Sequence, residues 1–191
     1  MNTRTIDIRE LDVFKQIDSD EIFAVDTNVL FWMHSSFDVN ARAYQSRYYP
    51  QFISDLISNE NKLVTTIYNC MELIHLIEKR KLELYNTNNS NCMRLKQFRN
   101  CQEERANIKE ECDVIFEQIK NLYDIKSFSV EVKHLEKFIN QFENHTCDNF
   151  DYNTLTFYSN EDIKNIITDD QDFASFPGIN IYTDNRNILA K

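Results

Sequence analysis

Short apolar segments that end in polar or acidic residues alternate with helix-like segments, and this alternation limits the fold more than any other feature. The strands are predicted at residues 22–25 (IFAV), 62–66 (KLVTT), 163–168 (IKNIIT) and 179–183 (INIYT). Alternating strands and helices favour a parallel sheet, because parallel neighbours need a crossover connection that a helix supplies. The sequence therefore predicts an α/β fold with a central parallel β-sheet flanked by helices.

Helices are predicted where apolar residues recur every three or four positions. The asparagine-rich segment 85–91 predicts a loop instead. No linker is long enough to separate two domains, so residues 1–191 are predicted to form a single domain. The predicted helices cover 29–33, 41–58, 68–81, 108–122, 131–143 and the residues around Leu155.

Several function classes are excluded by what the chain lacks. It has one glycine, Gly178, whereas a dinucleotide fingerprint needs three and a Walker loop needs two. Its five cysteines are scattered without a CxxC pair, which indicates reduced cysteines rather than a disulfide framework or a zinc site. No apolar run approaches the roughly 18 residues of a membrane span, and no signal peptide is evident. We expect a cytoplasmic protein that does not associate with membranes.

Acidic side chains stand at or near the ends of the predicted strands. Asp26 follows the first strand and Glu72 lies on the helix after the second. Asp151 lies on the helix before the third strand, and Asp170 follows that strand. Open α/β sheets place their ligand sites at the carboxyl ends of strands, so these acids are predicted to form one site on adjacent strands. Helix caps, an exposed helix position and a turn are the alternative explanations.

Glu72 is the least ordinary of these acids in its sequence context. It lies between the apolar residues Met71 and Leu73, which predicts a buried carboxylate. Such a group is unfavourable unless it is paired, hydrogen-bonded or bound to a metal. His75 follows one helical turn later and is either a surface histidine or a contact to substrate or metal.

Basic residues concentrate in one part of an acidic chain. The formal net charge is -10, but residues 79–109 contain eight basic and three acidic residues. Arg94, Lys96 and Arg99 in this stretch are candidate RNA-binding residues, since nucleic acid is bound largely through phosphate contacts. The alternative is an ordinary solvated helix face.

Four segments resemble the motifs of the PIN-domain nuclease family. They are VDTNVL (25–30), TTIYNCMEL (65–73), DYNTLTFY (151–158) and IITDDQDF (166–173), of which the last matches the T-x-D-x-D-F ending of that family. The resemblance covers about 22–80 and 145–184. It implies a PIN-like fold with a helical insertion around 81–130.

The resemblance also implies an activity and a set of site residues. The expected activity is a metal-dependent endoribonuclease that hydrolyses RNA phosphodiester bonds, such as a bacterial toxin or defence nuclease. Carboxylates suit hard cations such as Mg²⁺ or Mn²⁺. Asp148 competes with Asp151 for the third acidic position, and the spacing to Asp170 favours Asp151. The implied metal-binding acids are Asp26, Glu72, Asp151 and Asp170, with Asp172 as an additional ligand and Asn28 and Thr168 as polar supports.

The expected partners follow from the same resemblance. They are an RNA substrate, an antitoxin or other protein partner, and a second copy of the chain in a homodimer. Two other functions stay open at this point: a PIN-fold interaction module with a weakened site, and a structure-specific DNA nuclease. Whether the four acids converge distinguishes an active site from separate structural acids.

Overall fold

The computed structural model of the chain describes residues 3–10, 12–35 and 45–190. Six described strands form one sheet in the spatial order β1-β6-β5-β2-β3-β4, and every neighbouring pair is parallel. This confirms the predicted α/β class and its parallel sheet. The strands are β1 (Arg4–Asp7), β2 (Ile22–Val25), β3 (Lys62–Thr66), β4 (Asp124–Lys126), β5 (Asn165–Ile167) and β6 (Asn180–Thr183).

Helices connect the strands and cover the sheet. Three short 3₁₀ helices at Phe14–Gln16, Phe142–Asn144 and Gln171–Ser175 add to them. None of the helices in the described part of the chain is both long and apolar enough to span a membrane. The α-helices are α1 (Thr27–His34), α2 (Gln45–Ser58), α3 (Ile67–Asn88), α4 (Leu95–Phe98), α5 (Gln102–Leu122), α6 (Val132–Gln141), α7 (Asn149–Asn160) and α8 (Arg186–Leu189).

The sheet is buried on both faces, as expected for parallel strands between helical layers. Because side chains alternate along a strand, Phe23 and Val25 of β2 face one layer while Ala24 faces the other. The first core contains residues of α1, α2, α3 and α5. The second contains residues of α7, α6 and α8, including the fully buried Leu155.

Strands β2 and β5 are neighbours, as predicted from the need to bring Asp26 and Asp170 to one edge. Ala24 pairs with Ile166 and Val25 with Ile167. The pairing continues one step past the strand, where the backbone N–H of Asp26 donates to the Ile167 carbonyl at 3.1 Å. The chain segments that follow β2 and β5 therefore begin side by side.

The strands β1 and β4 were not predicted, and the predicted loop at 85–91 is mostly wrong. β1 and β4 are short edge strands that are partly exposed, so they lack the apolar signal of the central strands. β4 lies within 81–130 and pairs with β3, so that region is helical but also completes the sheet. Helix α3 continues to Asn88 through most of the predicted loop at 85–91. The predicted helix at 41–58 corresponds to α2 over 45–58, and its positions 41–44 lie outside the described residues.

Candidate active site

Asp26 lies at the junction of β2 and α1 and is only 5% exposed. Its Oδ1 accepts a hydrogen bond from the Thr27 backbone N–H at 2.7 Å, so Asp26 is the N-cap of α1. The Oδ2 atom accepts from the Thr168 hydroxyl at 2.8 Å and from the Asn28 amide at 3.2 Å. Asn69 contributes a longer contact to Oδ1 at 3.4 Å. The capping explanation is correct, but the carboxylate also receives donors from three separate segments of the chain.

Glu72 reaches this cluster from helix α3. Thr27 Oγ1 donates to Glu72 Oε2 at 2.7 Å and accepts from the Asn69 amide at 3.0 Å. Asn69 and Glu72 are three residues apart, which places them on the same helix face. Glu72 is exposed and its neighbour Met71 is 60% exposed, so the prediction of a buried glutamate is wrong. The buried stripe of α3 runs through Cys70, Leu73 and Ile77 instead.

Asp170 is connected to Asp26 through Thr168. The Thr168 hydroxyl accepts from the Asp170 backbone N–H at 2.9 Å while donating to Asp26. Asp170 Oδ1 in turn accepts from the Asp172 backbone N–H at 2.9 Å, which caps the 3₁₀ helix Gln171–Ser175. One threonine hydroxyl thus couples the chain that follows β5 to the carboxylate that follows β2.

Asp148 and Asp151 have different surroundings at the start of α7. Asp148 is exposed and its Oδ1 accepts from the backbone N–H groups of Phe150 and Asp151, at 2.7 and 2.9 Å. Asp148 is therefore the N-cap of α7. Asp151 is half-buried and faces the other acids, so it is the better candidate for the third acidic position.

The acids influence one another electrostatically. Burial raises the pKa of Asp26 to about 7, and the charges of Glu72 and Asp170 contribute to the rise. Burial likewise raises the pKa of Asp151 to about 8, with contributions from Asp26, Asp148, Glu72 and Asp170. The pKa of Asp170 is also raised, by burial and by Asp172, Asp148 and Asp169. Carboxylates from four chain segments therefore lie close enough to oppose the ionisation of Asp26 and Asp151.

The predicted polar supports lie where they were expected, and two further residues join them. Asn28 and Thr168 both donate to Asp26. Thr27 and Asn69 were not predicted, although Asn69 stands one helical turn before Glu72 and Thr27 directly follows Asp26. Those spacings could have indicated both residues, since neighbours on one helix face share their contacts.

The donor set suits a hard divalent cation in its chemistry, because it consists of carboxylate and hydroxyl oxygens. Among residues 3–10, 12–35 and 45–190, no three His, Cys, Asp or Glu side chains are arranged as a group that could hold a metal ion. The long contacts from Asn28 and Asn69 are the weakest of the four hydrogen bonds to Asp26. They are the contacts that a cation would displace at the lowest cost.

Several basic side chains in the stretch 79–109 form ion pairs with acidic residues. Arg99 makes a two-pronged contact with Glu78, at 2.9 and 2.6 Å, and Arg105 binds the same carboxylate at 2.9 Å. These contacts hold the pKa of Glu78 below its usual range. Arg99 therefore ties α3 to the chain between α4 and α5. Arg94 and Lys96 are exposed and have no ion pair with any residue that the structure describes.

Two substitutions at the start of α7 distinguish a cap from a catalytic acid. The resemblance implies RNA cleavage, which provides a readout for both variants. Asp148→Asn keeps an oxygen that can accept the two amide hydrogen bonds, so the melting temperature should be unchanged and the cleavage rate should stay within about twofold of the wild type. Asp151→Asn should lower cleavage by at least about 100-fold, since even indirect partners of a metal are worth 10–100-fold. Cleavage rates and thermal melting of both variants provide the measurement. Equal loss in both would return Asp148 to the site.

A scan against models of known protein families finds no match, and a search of curated proteins finds no similar sequence. The resemblance to the PIN-domain nucleases accordingly stays a prediction carried by the quoted motifs. The convergence of the acids is a separate observation, because it comes from the fold and not from the motifs.

Proposed function

We propose that the chain is a PIN-like, metal-dependent endoribonuclease that hydrolyses RNA phosphodiester bonds. One observation carries the proposal: acids from four distant parts of the sequence meet at the carboxyl edge of a parallel sheet. There the charges of Glu72 and Asp170 help to raise the pKa values of both Asp26 and Asp151. Buried acids that repel each other destabilise a fold unless they are paired or bind a metal, and such groups concentrate at functional sites. Binding of Mg²⁺ or Mn²⁺ removes that penalty.

The chain's own residues have distinct parts in this proposal. Thr27 and Thr168 fix the Asp26 carboxylate from two sides and connect it to Glu72 and Asp170. Glu72 is exposed, so its side chain is able to turn toward a shared cation. A divalent cation at these carboxylates supplies an activated water and neutralises charge on the phosphodiester. Asp172 lies two residues after Asp170 and serves as an additional acid.

A second candidate is an interaction module of the same fold with a weakened site. The observation in its favour is that Asp26 already has four hydrogen-bond donors, as many as the lone pairs of a carboxylate. In this case the acids would be structural caps. An antitoxin, another protein or a second copy of the chain would then be the functional partner.

Incubation of the purified protein with total RNA, with and without manganese, tests the proposed activity. We expect manganese-dependent fragments whose mapped ends recur at defined positions, and no fragments after chelation. Single-stranded DNA of matching sequence is the control, because a DNA nuclease would cleave it at a comparable rate. Binding of RNA or protein without any cleavage would favour the interaction module.

Replacement of Arg94 and Lys96 by Gln should weaken RNA binding and flatten its salt dependence. Each phosphate contact on a single strand contributes about 0.7 to the slope of log K against log salt, so loss of two contacts lowers it by up to about 1.4. Arg99 is left intact because it is bound to Glu78. Lys62→Gln, an exposed change at the start of β3, is the matched control. An unchanged slope would assign Arg94 and Lys96 to an ordinary solvated face.

A further inference from the structure

A groove of about 350 Å³ runs along the candidate active site between α3 and α7. Glu72 and Asp151 belong to its wall, so it is continuous with the acidic cluster. The rest of the lining includes Tyr68, Met71 and Phe150. The groove thus joins an acidic end to an aromatic and thioether surface.

The apolar side chains of this groove are unusually exposed. Phe150 is 63% exposed and Met71 is 60% exposed, although each sits beside a residue of the acidic cluster. Tyr68 contacts Phe150 and Phe128, with ring centroids 6.4 and 4.8 Å apart. The three rings form one surface, and the exposed ring of Phe150 leaves area on which a flat ligand can stack.

The N-cap of α7 fixes the position of this aromatic surface relative to the acids. The Asp148 carboxylate accepts hydrogen bonds from the backbone N–H groups of both Phe150 and Asp151. These bonds fix the first turn of α7, on which the Phe150 ring and the Asp151 carboxylate are neighbours. On α3, Met71 and Glu72 are adjacent in the same way. Each helix therefore presents an apolar side chain next to an acid in the groove.

The charge of the groove identifies which part of a nucleic acid fits it. Among the residues that the structure describes, the lining contains three carboxylates and neither lysine nor arginine. A phosphate would therefore be repelled there unless a cation lies between. A nucleobase is uncharged, flat and apolar on its faces, and stacking on an aromatic side chain is worth about 1–3 kcal/mol per base. Asn69, His75 and Thr154 provide polar groups beside the ring surface.

We propose that the Tyr68–Met71–Phe150 groove binds one unpaired base of the RNA strand, next to the phosphate that the acidic cluster addresses. This inference rests on the proposed function for its ligand class. It adds a base-binding subsite and the requirement that the base be unpaired, because a paired and stacked base has no free face. Phe150 is the residue on which the base stacks.

The test compares two 12-nucleotide probes, a single-stranded oligouridylate and an abasic strand of the same length, each end-labelled and bound in calcium. Phe150→Ala should weaken binding of the oligouridylate by about 5–150-fold, as loss of one stacked base predicts, and leave the abasic strand unaffected. Phe142→Ala is the matched control, since Phe142 is 65% exposed on a different surface. Equal affinity of wild type and Phe150→Ala for the oligouridylate would overturn the subsite.

Cleavage in manganese separates failure of the subsite from failure of the nuclease. Wild-type cleavage together with unchanged binding and cleavage by Phe150→Ala would reject the groove and keep the nuclease. Base-dependent binding that Phe150→Ala loses, without any cleavage by the wild type, would keep the groove and reject the nuclease.

Discussion

Asp26→Asn should reduce RNA cleavage in manganese by at least about 100-fold while the protein stays folded. The carboxylate is central to the cluster, and loss of its charge removes a cation ligand together with the water that the cation would activate. Even residues that only support metal ligands are worth 10–100-fold. Cleavage of total RNA under single-turnover conditions gives the measurement, with circular dichroism as the check on folding.

The hydrogen bonds around Asp26 explain why this variant should fold. An asparagine oxygen can keep the bond to the Thr27 N–H that caps α1. Its amide nitrogen would then face the Thr168 hydroxyl, which can accept as well as donate, and the Asn28 amide, which can flip. Asp148→Asn is the matched comparison, as a similar change at an exposed capping aspartate beside the cluster. Normal cleavage by Asp26→Asn would leave Asp26 as a helix cap alone.

Without divalent cations, the melting temperature of the wild type should fall relative to that of Asp26→Asn as the pH rises from 5 to 8. The pKa of Asp26 in the folded protein is raised to about 7 from its ordinary value of 3.8. The unfolded chain therefore releases this proton first, and stability falls between those two values as the pH rises. Each unit of pKa difference corresponds to about 1.4 kcal/mol, and each kcal/mol to about 2–4 °C for a chain of this size. A relative change of more than about 3 °C is expected.

Manganese should reverse this difference. At a concentration 100 times its dissociation constant, a ligand that binds only the folded state stabilises it by about 2.7 kcal/mol, or about 5–10 °C here. The wild type at pH 7.5 should gain that much, and Asp26→Asn clearly less. Melting curves recorded with chelator and with manganese give both numbers. Equal gains in the two proteins would mean that manganese binds elsewhere or not at all.

The strands at the centre of the sheet were predictable, and the edge strands were not. β2 and β3 have the bounds that the sequence predicts, because they are buried apolar segments bounded by polar residues. β1 and β4 are partly exposed and take their pairing from β6 and β3, which are distant in the sequence. α3 extends to Asn88 through residues that locally favour a loop, where the Asn86 side chain bonds the backbone of Met93.

The sequence predicts which acids belong to the site, but it does not predict how buried each of them is or what each contacts. Strand ends and motif order singled out Asp26 and Asp170, and the pairing of β2 with β5 brings them to one edge. The exposure of Glu72 could not be derived from its apolar neighbours, because the face that α3 buries depends on how α3 packs against α1 and α5. Asn69 bridges two residues more than 40 positions earlier, a relation that only the fold creates.

The position of β5 in the sheet has a consequence for synthesis on the ribosome. β5 consists of residues 165–167 and lies between β2 and β6, so β2 pairs on one side only until this late segment has been translated. A nascent chain that has not reached β5 also lacks Asp170. Such a chain holds an unpaired central strand edge, which is prone to aggregation and is a target for chaperones. The acidic cluster can therefore assemble only after Asp170 has been translated, more than 140 residues after Asp26.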